Sequence, residues 1–539
     1  MLNVSSKIAG ITRYSPVAAP KGRIPRVLLI SPFKLAETTP GISMGVHRIA
    51  QFLSAHGCAK ATVAETLHEF DRNWEKPNPV GRYDIVGIST YAGDQFAHAA
   101  TKINYMRHDL GNALMVTGGH GMLVDHDVFF RSFPVDIAVV GPGEFPMAEI
   151  CANFYRKGTL VERFGSVKGI SINDGGKAYR TSPRPFTQED FELINDPFDY
   201  TKLPIAPKGP NRIVMLRMSF SSHCPYACVY CSASGFDKAR QSKMLYYPVD
   251  KIIEKLEAFV DHHIQNSSTS KIVISFSDDT LTANKERFFK ILEGVDNIRK
   301  RTGADIWFMC YSRFDCLTDE FLEQAGKLGL NQLSIGVESK VPEVLAFLKP
   351  GTDHRKLESL EERVFKYGIF PQEFFIVAPP VATVETLLKT AEDMVEATKN
   401  GALVSPAFRM DPYWGAPAMN MGFMTHDIKL TKRRVPRIKR PFVLPEYFRN
   451  RNIGMDKILD KIHDVWMRLY DECEKSFKKE GTWSAVKARR VDSTLLAIAI
   501  YTVLGVKDKS MQDAQEVYDK LKSDPKAYRK LNLDKFASE

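Results

Sequence analysis

Cys224, Cys228 and Cys231 stand four and then three residues apart in the segment Ser222-His223-Cys224-Pro225-Tyr226-Ala227-Cys228-Val229-Tyr230-Cys231. A fully ligated [4Fe–4S] cube takes four thiolates, so three close cysteines hold three irons and leave the fourth open to a small molecule. A structural zinc site is the alternative. Zinc usually takes four N/S ligands and favours two knuckles, whereas here His223 is the only close extra ligand and no second knuckle follows. The other five cysteines (Cys58, Cys151, Cys310, Cys316, Cys473) are scattered and read as reduced, partly buried thiols.

The CxxxCxxC spacing, with aromatic Tyr230 just before the third cysteine, resembles the radical S-adenosylmethionine (radical SAM) superfamily. The resemblance implies an open iron that chelates the amino and carboxylate groups of S-adenosylmethionine (SAM). It also implies an electron, from a low-potential donor such as flavodoxin or ferredoxin, that cleaves the SAM C–S bond. The resulting 5′-deoxyadenosyl radical abstracts hydrogen from an unactivated carbon.

Such a loop needs a scaffold. From residue 211 the chain alternates strand and helix patterns, with candidate strands Ile213–Ser219, Lys271–Phe276, Asp305–Cys310, Gln332–Val337, Gly368–Val377 and Leu403–Met410. Six β/α units resemble the open (β/α)6 partial barrel of radical SAM enzymes, and chemistry in such barrels lies at the carboxyl ends of the strands. There the resemblance assigns Ser277, Asp278 and Asp279 to the SAM amino group, Arg313 to its carboxylate, and Ser334, Glu338 and Ser339, in an IGxES-like element, to ribose or amino contacts. Acidic residues at strand ends also serve as helix N-caps, so a structural role stays open for them. Tyr413, Trp414, Met419 and Met421, in a Gly/Pro-rich loop after the sixth strand, are placed to form an adaptable apolar substrate wall or simply to cover the core.

Residues 26–165 carry an earlier β-α-β alternation, which implies a Rossmann-like, doubly wound parallel sheet. Its strand ends are small or polar: Ser31; Ser89 and Thr90; Gly118, Gly119 and His120; Gly141, Pro142, Gly143 and Glu144. Ligands bind beyond such ends, and glycine allows close backbone approach. No GxGxxG follows the first strand, which disfavours a dinucleotide. The GGxH-like turn Gly118-Gly119-His120 and the run from Asp136 to Glu144 resemble the cobalamin-binding domain upstream of one large radical SAM class. That resemblance implies cobalamin, carrying a methyl group as methylcobalamin. The DxHxxG motif that supplies a histidine to cobalt in many corrinoid proteins is absent, which leaves a cobalamin-free domain open.

The 539 residues divide as 1–25 extension, 26–165 cobalamin-type domain, 166–210 hairpin and linker, 211–425 barrel and 426–539 all-α C-terminal region. Hydrophobic content of 44% and charged content of 26% are those of an ordinary globular protein. Unpaired cysteines and an oxygen-labile cluster point to a reducing, cytoplasmic compartment. The apolar run Leu495–Val506 is too short for a membrane span. The net charge of +10 is dispersed apart from Lys429–Arg440, so no nucleic-acid partner is expected. The leading expectation is a cobalamin-dependent radical SAM methyltransferase acting on a small-molecule or natural-product-like substrate. A cyclase or rearranging enzyme with the same domain pair, and a non-catalytic iron–sulfur or corrinoid carrier, are the rivals.

Overall fold

A computed structural model describes residues 3–8, 11–15, 23–31, 44–64, 83–90, 103, 107, 111–119, 122, 126–205, 207, 212–233, 244–267, 269–411, 413, 416–419, 428–433, 442–479, 485–524 and 526–528. An antiparallel hairpin, β1 (Asn3–Ile8) and β2 (Ile11–Ser15), stands at the start.

The first large sheet holds β3 (Arg26–Ile30), β4 (Lys60–Ala64), β5 (Ile85–Ser89), β6 (Leu114–Gly118), β7 (Ile137–Val139), β8 (Ile170–Asp174) and β9 (Lys177–Arg180). Their order is β4-β3-β5-β6-β7-β8-β9, parallel from β4 to β7 and antiparallel beyond. β3, β5, β6 and β7 are the strands whose ends the alternation marked at Ser31, Ser89, Gly118 and Gly141. Lys60–Ala64 is a fifth parallel strand that the alternation did not single out, because Lys60, Thr62 and Ala64 dilute its apolar signal. The β8–β9 hairpin, expected to belong to a connector, extends this sheet instead. Ile170 and Ile172 are buried against β7, so pairing continues past residue 165.

β3 has β4 on one side and β5 on the other. The winding direction therefore reverses between β3 and β5, and a crevice opens outside the carboxyl ends at such a switch point. The helix Met44–Ala55 packs there, burying Val46, Ala50, Phe52 and Leu53.

The second sheet is a six-stranded, wholly parallel partial barrel in sequential order: β10 (Val214–Met218), β11 (Lys271–Phe276), β12 (Asp305–Arg313), β13 (Gln332–Glu338), β14 (Phe370–Ala378) and β15 (Leu403–Arg409). Outward residues such as Leu216, Ile274, Phe308 and Ile335 are fully buried. The covering helices include the amphipathic Val249–Asn266 and Lys285–Thr302. One contiguous apolar core runs from Val27 through Phe198 and Tyr200 of the linker, across the barrel, to the C-terminal helices. The two sheets are thus fused by packing.

The C-terminal region is not all-α. β16 (Ile428–Arg433) and β17 (Phe442–Phe448) form an antiparallel hairpin, and the start of the basic run Lys429–Arg440 lies in the first of these strands. Helices Met455–Lys479, Ala485–Leu504 and Lys509–Ser523 follow, close to their expected limits. No described helix is long and apolar enough to cross a membrane.

Candidate active site

The loop after β10 carries Cys224, Cys228 and Cys231, and the surrounding strands fix it at several points. Val229 N–H donates to the Leu348 carbonyl (3.1 Å), while the Val229 carbonyl accepts from Ala418 N–H (2.8 Å). Tyr230 hydroxyl donates to Glu338 Oε1 at 2.6 Å, and Lys349 Nζ lies 3.2 Å from the same oxygen. Glu338 holds this position with φ of 64°, a left-handed conformation that a non-glycine residue adopts only when its surroundings enforce it. Cys224 Sγ is 3.3 Å from Thr280 Oγ1.

Arg313 is the loop's main polar support. It is buried; Nε and Nη2 donate to Asp315 (2.9 and 2.8 Å), Nη2 also to Thr352 Oγ1 (2.9 Å), and Nη1 to Cys228 Sγ (3.1 Å). Its guanidinium carbon sits 4.1 Å from the Tyr226 ring centroid, and the Tyr226 hydroxyl reaches Cys316 Sγ at 3.1 Å. Burial, followed by the charges of Asp279 and the neighbouring cysteines, pushes the Cys231 thiol up to about 12; burial likewise raises Cys224. These mutual influences place the three sulfurs and Asp279 in one neighbourhood. Thiols held that far toward the protonated form become thiolate ligands only when a metal displaces the proton.

The other strand-end residues are placed as follows. Asp278 is buried, and its Oδ1 accepts from Phe220 N–H (3.0 Å) and Ser221 hydroxyl (2.5 Å), tying the end of β10 to that of β11, while its Oδ2 has no hydrogen bond among the described residues. The adjacent Asp279 lies at the rim; burial, then the charge of Asp278, pushes its carboxyl up to about 6. Ser277 also faces the cavity, its hydroxyl donating to the Met218 carbonyl at 3.0 Å. Ser334 bonds to Gln372 Oε1 within the barrel (3.1 Å), and Ser339 Oγ accepts from Val341 N–H (3.1 Å) as a helix-start contact. Met419 is buried with Val344, Leu348 and Met410 beneath Val229 and Tyr230, so it supports the loop and forms no wall. Tyr413 reaches Asp411 at 3.5 Å; Trp414 and Met421 lie outside the described residues.

Across from the loop is the rim of the first sheet. A cavity of about 490 Å³ lies between the two, lined on one side by Ser89, Gly118, Gly119, Gly141, Gly143 and Glu144 and on the other by Ser219, Ser221, Ser222, Ala233, Ser277 and Asp279. Ile49, Met147, Phe186, Phe191 and Ile194 give it an apolar back that periodicity alone did not mark as lining. Ser31 and Thr90 are buried beneath the rim and are absent from this lining; Thr90 hydroxyl donates to the Gly118 carbonyl (2.9 Å). His120 lies outside the described residues. Asp136 pairs with Arg107 (3.1 Å) and accepts from Met115 N–H (2.8 Å), fixing the sheet below the cavity.

Residues 218–394 match the radical SAM superfamily. The barrel is a radical SAM domain. The chain is 26% identical over 317 residues to an uncharacterized methyltransferase of Pyrococcus horikoshii (58% of this chain, 64% of that protein). It is 24% identical over 307 residues to the bacteriochlorophyllide d C-12(1)-methyltransferase of Chlorobaculum tepidum (56% and 58%). It therefore spans less than two thirds of these curated relatives. Among solved structures it is similar to the radical SAM methyltransferase TsrM of Kitasatospora setae, with tryptophan substrate and a SAM analogue bound (TM-score 0.61, 14% identity, 93% of this chain and 99% of that one). It is also similar to the cobalamin-dependent SAM radical enzyme OxsB, with aqua-cobalamin and SAM bound (TM-score 0.60, 14% identity, 93% and 75%). The two-sheet architecture is similar to the fold of these two solved enzymes.

The radical SAM site fits its cluster. Three thiols share one loop at the end of β10, supported by a hydrogen-bond donor to Cys228. Among the described residues no group of three His, Cys, Asp or Glu side chains is arranged to hold a single metal ion; a four-iron cube instead spreads its three thiolates around a larger body. The sheet rim fits a broad flat ligand, since Gly87, Gly118 and Gly119 leave the strand ends without side chains. Glu144 adds a buried acceptor there: Oε1 pairs with Arg48 at 2.6 Å, and Oε2 has no hydrogen bond among the described residues.

Proposed function

We propose that the protein is a cobalamin-dependent radical SAM methyltransferase that transfers a methyl group to an unactivated carbon of a small molecule. The observation that carries this reading is the shared cavity, in which the strand ends of both sheets face one space. Cys224, Cys228 and Cys231 would hold the [4Fe–4S] cluster, and the rim from Ser89 through Gly119 to Glu144 would hold cobalamin. When bound, the cluster with SAM supplies a 5′-deoxyadenosyl radical, and cobalamin supplies a transferable methyl group.

The chain's own residues prepare the space. Arg313, Tyr230 and Glu338 fix the cysteine loop, and Asp279, ionised above about pH 6, offers a carboxylate to the SAM ammonium. Phe186, Phe191, Ile194 and Met147 exclude water from the cavity's back, where a carbon radical needs protection from side reactions. The relatives named as methyltransferases support methyl transfer over ring closure.

Anaerobic reconstitution with iron, sulfide and hydroxocobalamin tests the proposal. The full-length protein should take up both cofactors and, with reductant and substrate, yield 5′-deoxyadenosine and a product heavier by one CH₂ unit. A product lighter by hydrogen would establish the cyclase alternative. Failure to bind cobalamin under any reducing condition would remove the methyltransferase reading.

A further inference from the structure

Among the described residues, Arg217 inside the barrel, below the cavity, is a cation with no hydrogen bond or ion pair. β10 alternates faces: Val214, Leu216 and Met218 are buried under the helices, while Met215 and Arg217 are half-buried on the other face. Met215 packs on the lumen floor formed by Ile213, Val273, Trp307 and Phe370. Arg217, two residues on, shares that face, and Ser219, two further, lines the cavity. Arg217 therefore lies between an apolar floor and the cavity mouth.

Its Nε is buried without a hydrogen bond, and the guanidinium has no ion pair among the described residues. Arg287, whose Nε is likewise unbonded, at least donates from Nη2 to the Phe220 carbonyl (3.0 Å) and lies over Tyr246. The neutral polar groups of the lumen satisfy one another. Gln332 Nε2 and Ser334 hydroxyl donate to Gln372 Oε1, and Gln372 Nε2 donates to Ser405 Oγ, each at 3.1 Å. A buried donor without a partner is costly to maintain, and the guanidinium, half-buried and with no partner for its other nitrogens, presents a fork shaped for a carboxylate.

Register brings aromatic rings to its level in the barrel. Arg217 pairs with Ser275 and Ser275 with Met309. The tilt of a parallel barrel raises a layer by about one residue per strand, bringing Tyr311 of β12 and Phe374 of β14 to Arg217's level. Those two rings stack with centroids 6.1 Å apart and planes 25° apart.

Building on the reading of the barrel as a radical enzyme's substrate chamber, we propose that Arg217 anchors a carboxylate of the substrate, whose apolar body lies along Tyr311 and Phe374 and whose reacting carbon points up to the cavity. A carboxylate that chelates the open iron stays with the cysteine loop above the strand ends, whereas Arg217 sits within the strand, seven residues before Cys224. A phosphate would bring nearly two negative charges to this single cation, so a carboxylate is the better match.

The test uses the reconstituted full-length protein with 3-phenylpropionate and its neutral analogue 3-phenylpropanamide as probes, read by equilibrium dialysis. The acid should bind and the amide should not. Arg217→Ala should weaken acid binding about tenfold to a hundredfold, and Arg217→Lys should restore part of it. SAM binding, followed through the cluster spectrum, should stay at wild-type strength. Equal binding of acid and amide overturns the proposal, as does unchanged acid binding in Arg217→Ala. SAM affinity lost with acid binding retained also overturns it, assigning Arg217 to SAM. Should Arg217→Ala fail to fold, phenylglyoxal labelling of wild-type Arg217, mapped by peptide mass, decides the matter: protection by the acid alone supports the anchor, and no protection overturns it. Arg217-dependent acid binding without methyl transfer would sink the methyltransferase reading and leave this one standing.

Discussion

The two rims of the shared cavity are built on opposite plans. On the barrel side, the groups that hold the cysteine loop are committed to one another: Arg313 to Asp315, Thr352 and Cys228, and Tyr230 to Glu338, while Asp278 ties down the end of β10 through Oδ1 alone. On the sheet side, the strand ends are glycine and small residues, and Glu144 Oε2 lacks a hydrogen bond among the described residues. A rim that satisfies itself holds a reactive group in one geometry before ligands arrive. A rim that leaves space and acceptors open gains its order from the ligand. If this contrast is right, mutations on the barrel rim change the cluster, and mutations on the sheet rim change cofactor uptake or the fold beneath it.

The largest effect belongs to the thiolates. Cys224→Ala, Cys228→Ala and Cys231→Ala should each abolish the [4Fe–4S] absorption and electron paramagnetic resonance signals after reconstitution, with circular dichroism unchanged. Retention of a full cluster in any one of them would refute the ligand assignment. Loss of the cluster in Cys310→Ala, whose thiol is wholly buried on the outer face of β12, would show the assignment to be incomplete.

Arg313 sharpens the comparison. The residue was expected to bind the SAM carboxylate, but all three guanidinium nitrogens are already engaged. Its loss should therefore appear first in the cluster. Hydrogen bonds to cluster sulfurs stabilise the reduced state and shift the reduction potential. Arg313→Ala should give a more negative potential and a lower cluster yield, measured by redox titration. Arg313→Lys should recover only part of both, because an ammonium cannot serve Asp315 as a fork and Cys228 together. An unchanged potential with sharply weaker SAM binding would return Arg313 to the role first expected of it.

How far the sequence carried this reading depends on whether local spacing or tertiary approach decides a residue's work. The cysteine loop, the six barrel strands and the C-terminal helices were legible because spacing and apolar periodicity are local properties. Asp278 and Asp279 are neighbours with the same side chain, yet one caps a strand end and the other faces the cavity; nothing in the sequence separates them. Arg313 was read as a free fork because Asp315, Thr352 and Cys228 meet it only in the folded barrel. The β8–β9 hairpin resembled a connector because its turn, Asn173-Asp174-Gly175-Gly176, dominates its sequence. Arg217 attracted no attention in a strand pattern, and only its missing partners set it apart.

The glycines of the sheet rim offer the next test. A Cβ on Gly119 would meet the Thr90 carbonyl oxygen at 2.4 Å, and its φ of 98° disfavours any side chain. This glycine is required by the fold as well as by any ligand, so Gly119→Ala should destabilise by about 2 kcal/mol or more, seen as a lowered urea midpoint. At Gly143 the first obstacle is Ile49 Cδ1 at 2.8 Å, the end of a flexible side chain. Gly143→Ala should fold nearly as the wild type. Gly143→Leu, which projects further into the cavity, should weaken cobalamin uptake without a matching loss of stability. Equal destabilisation by Gly119→Ala and Gly143→Ala would break the distinction.

The smallest effect is a pH dependence at Asp279, the open carboxylate of an otherwise committed barrel rim. Its folded value of about 6 lies above the unperturbed aspartate value near 3.9, because burial and the adjacent Asp278 disfavour the anion. In the unliganded protein its contribution to stability is thus fully present below the unfolded value and lost as pH rises through 6. Ligand binding runs the other way. A SAM ammonium favours the carboxylate and lowers its pKa in the complex, so affinity should be full above pH 7 and fall as pH drops through 6, levelling once the bound-state value is passed. A several-fold loss between pH 7.5 and 5.5 is expected for one partly exposed charge pair, read by titrating SAM against the cluster spectrum. Asp279→Asn should bind more weakly at pH 7.5 and show a flat profile over this range. An unchanged slope in Asp279→Asn would place the titrating group elsewhere on the rim.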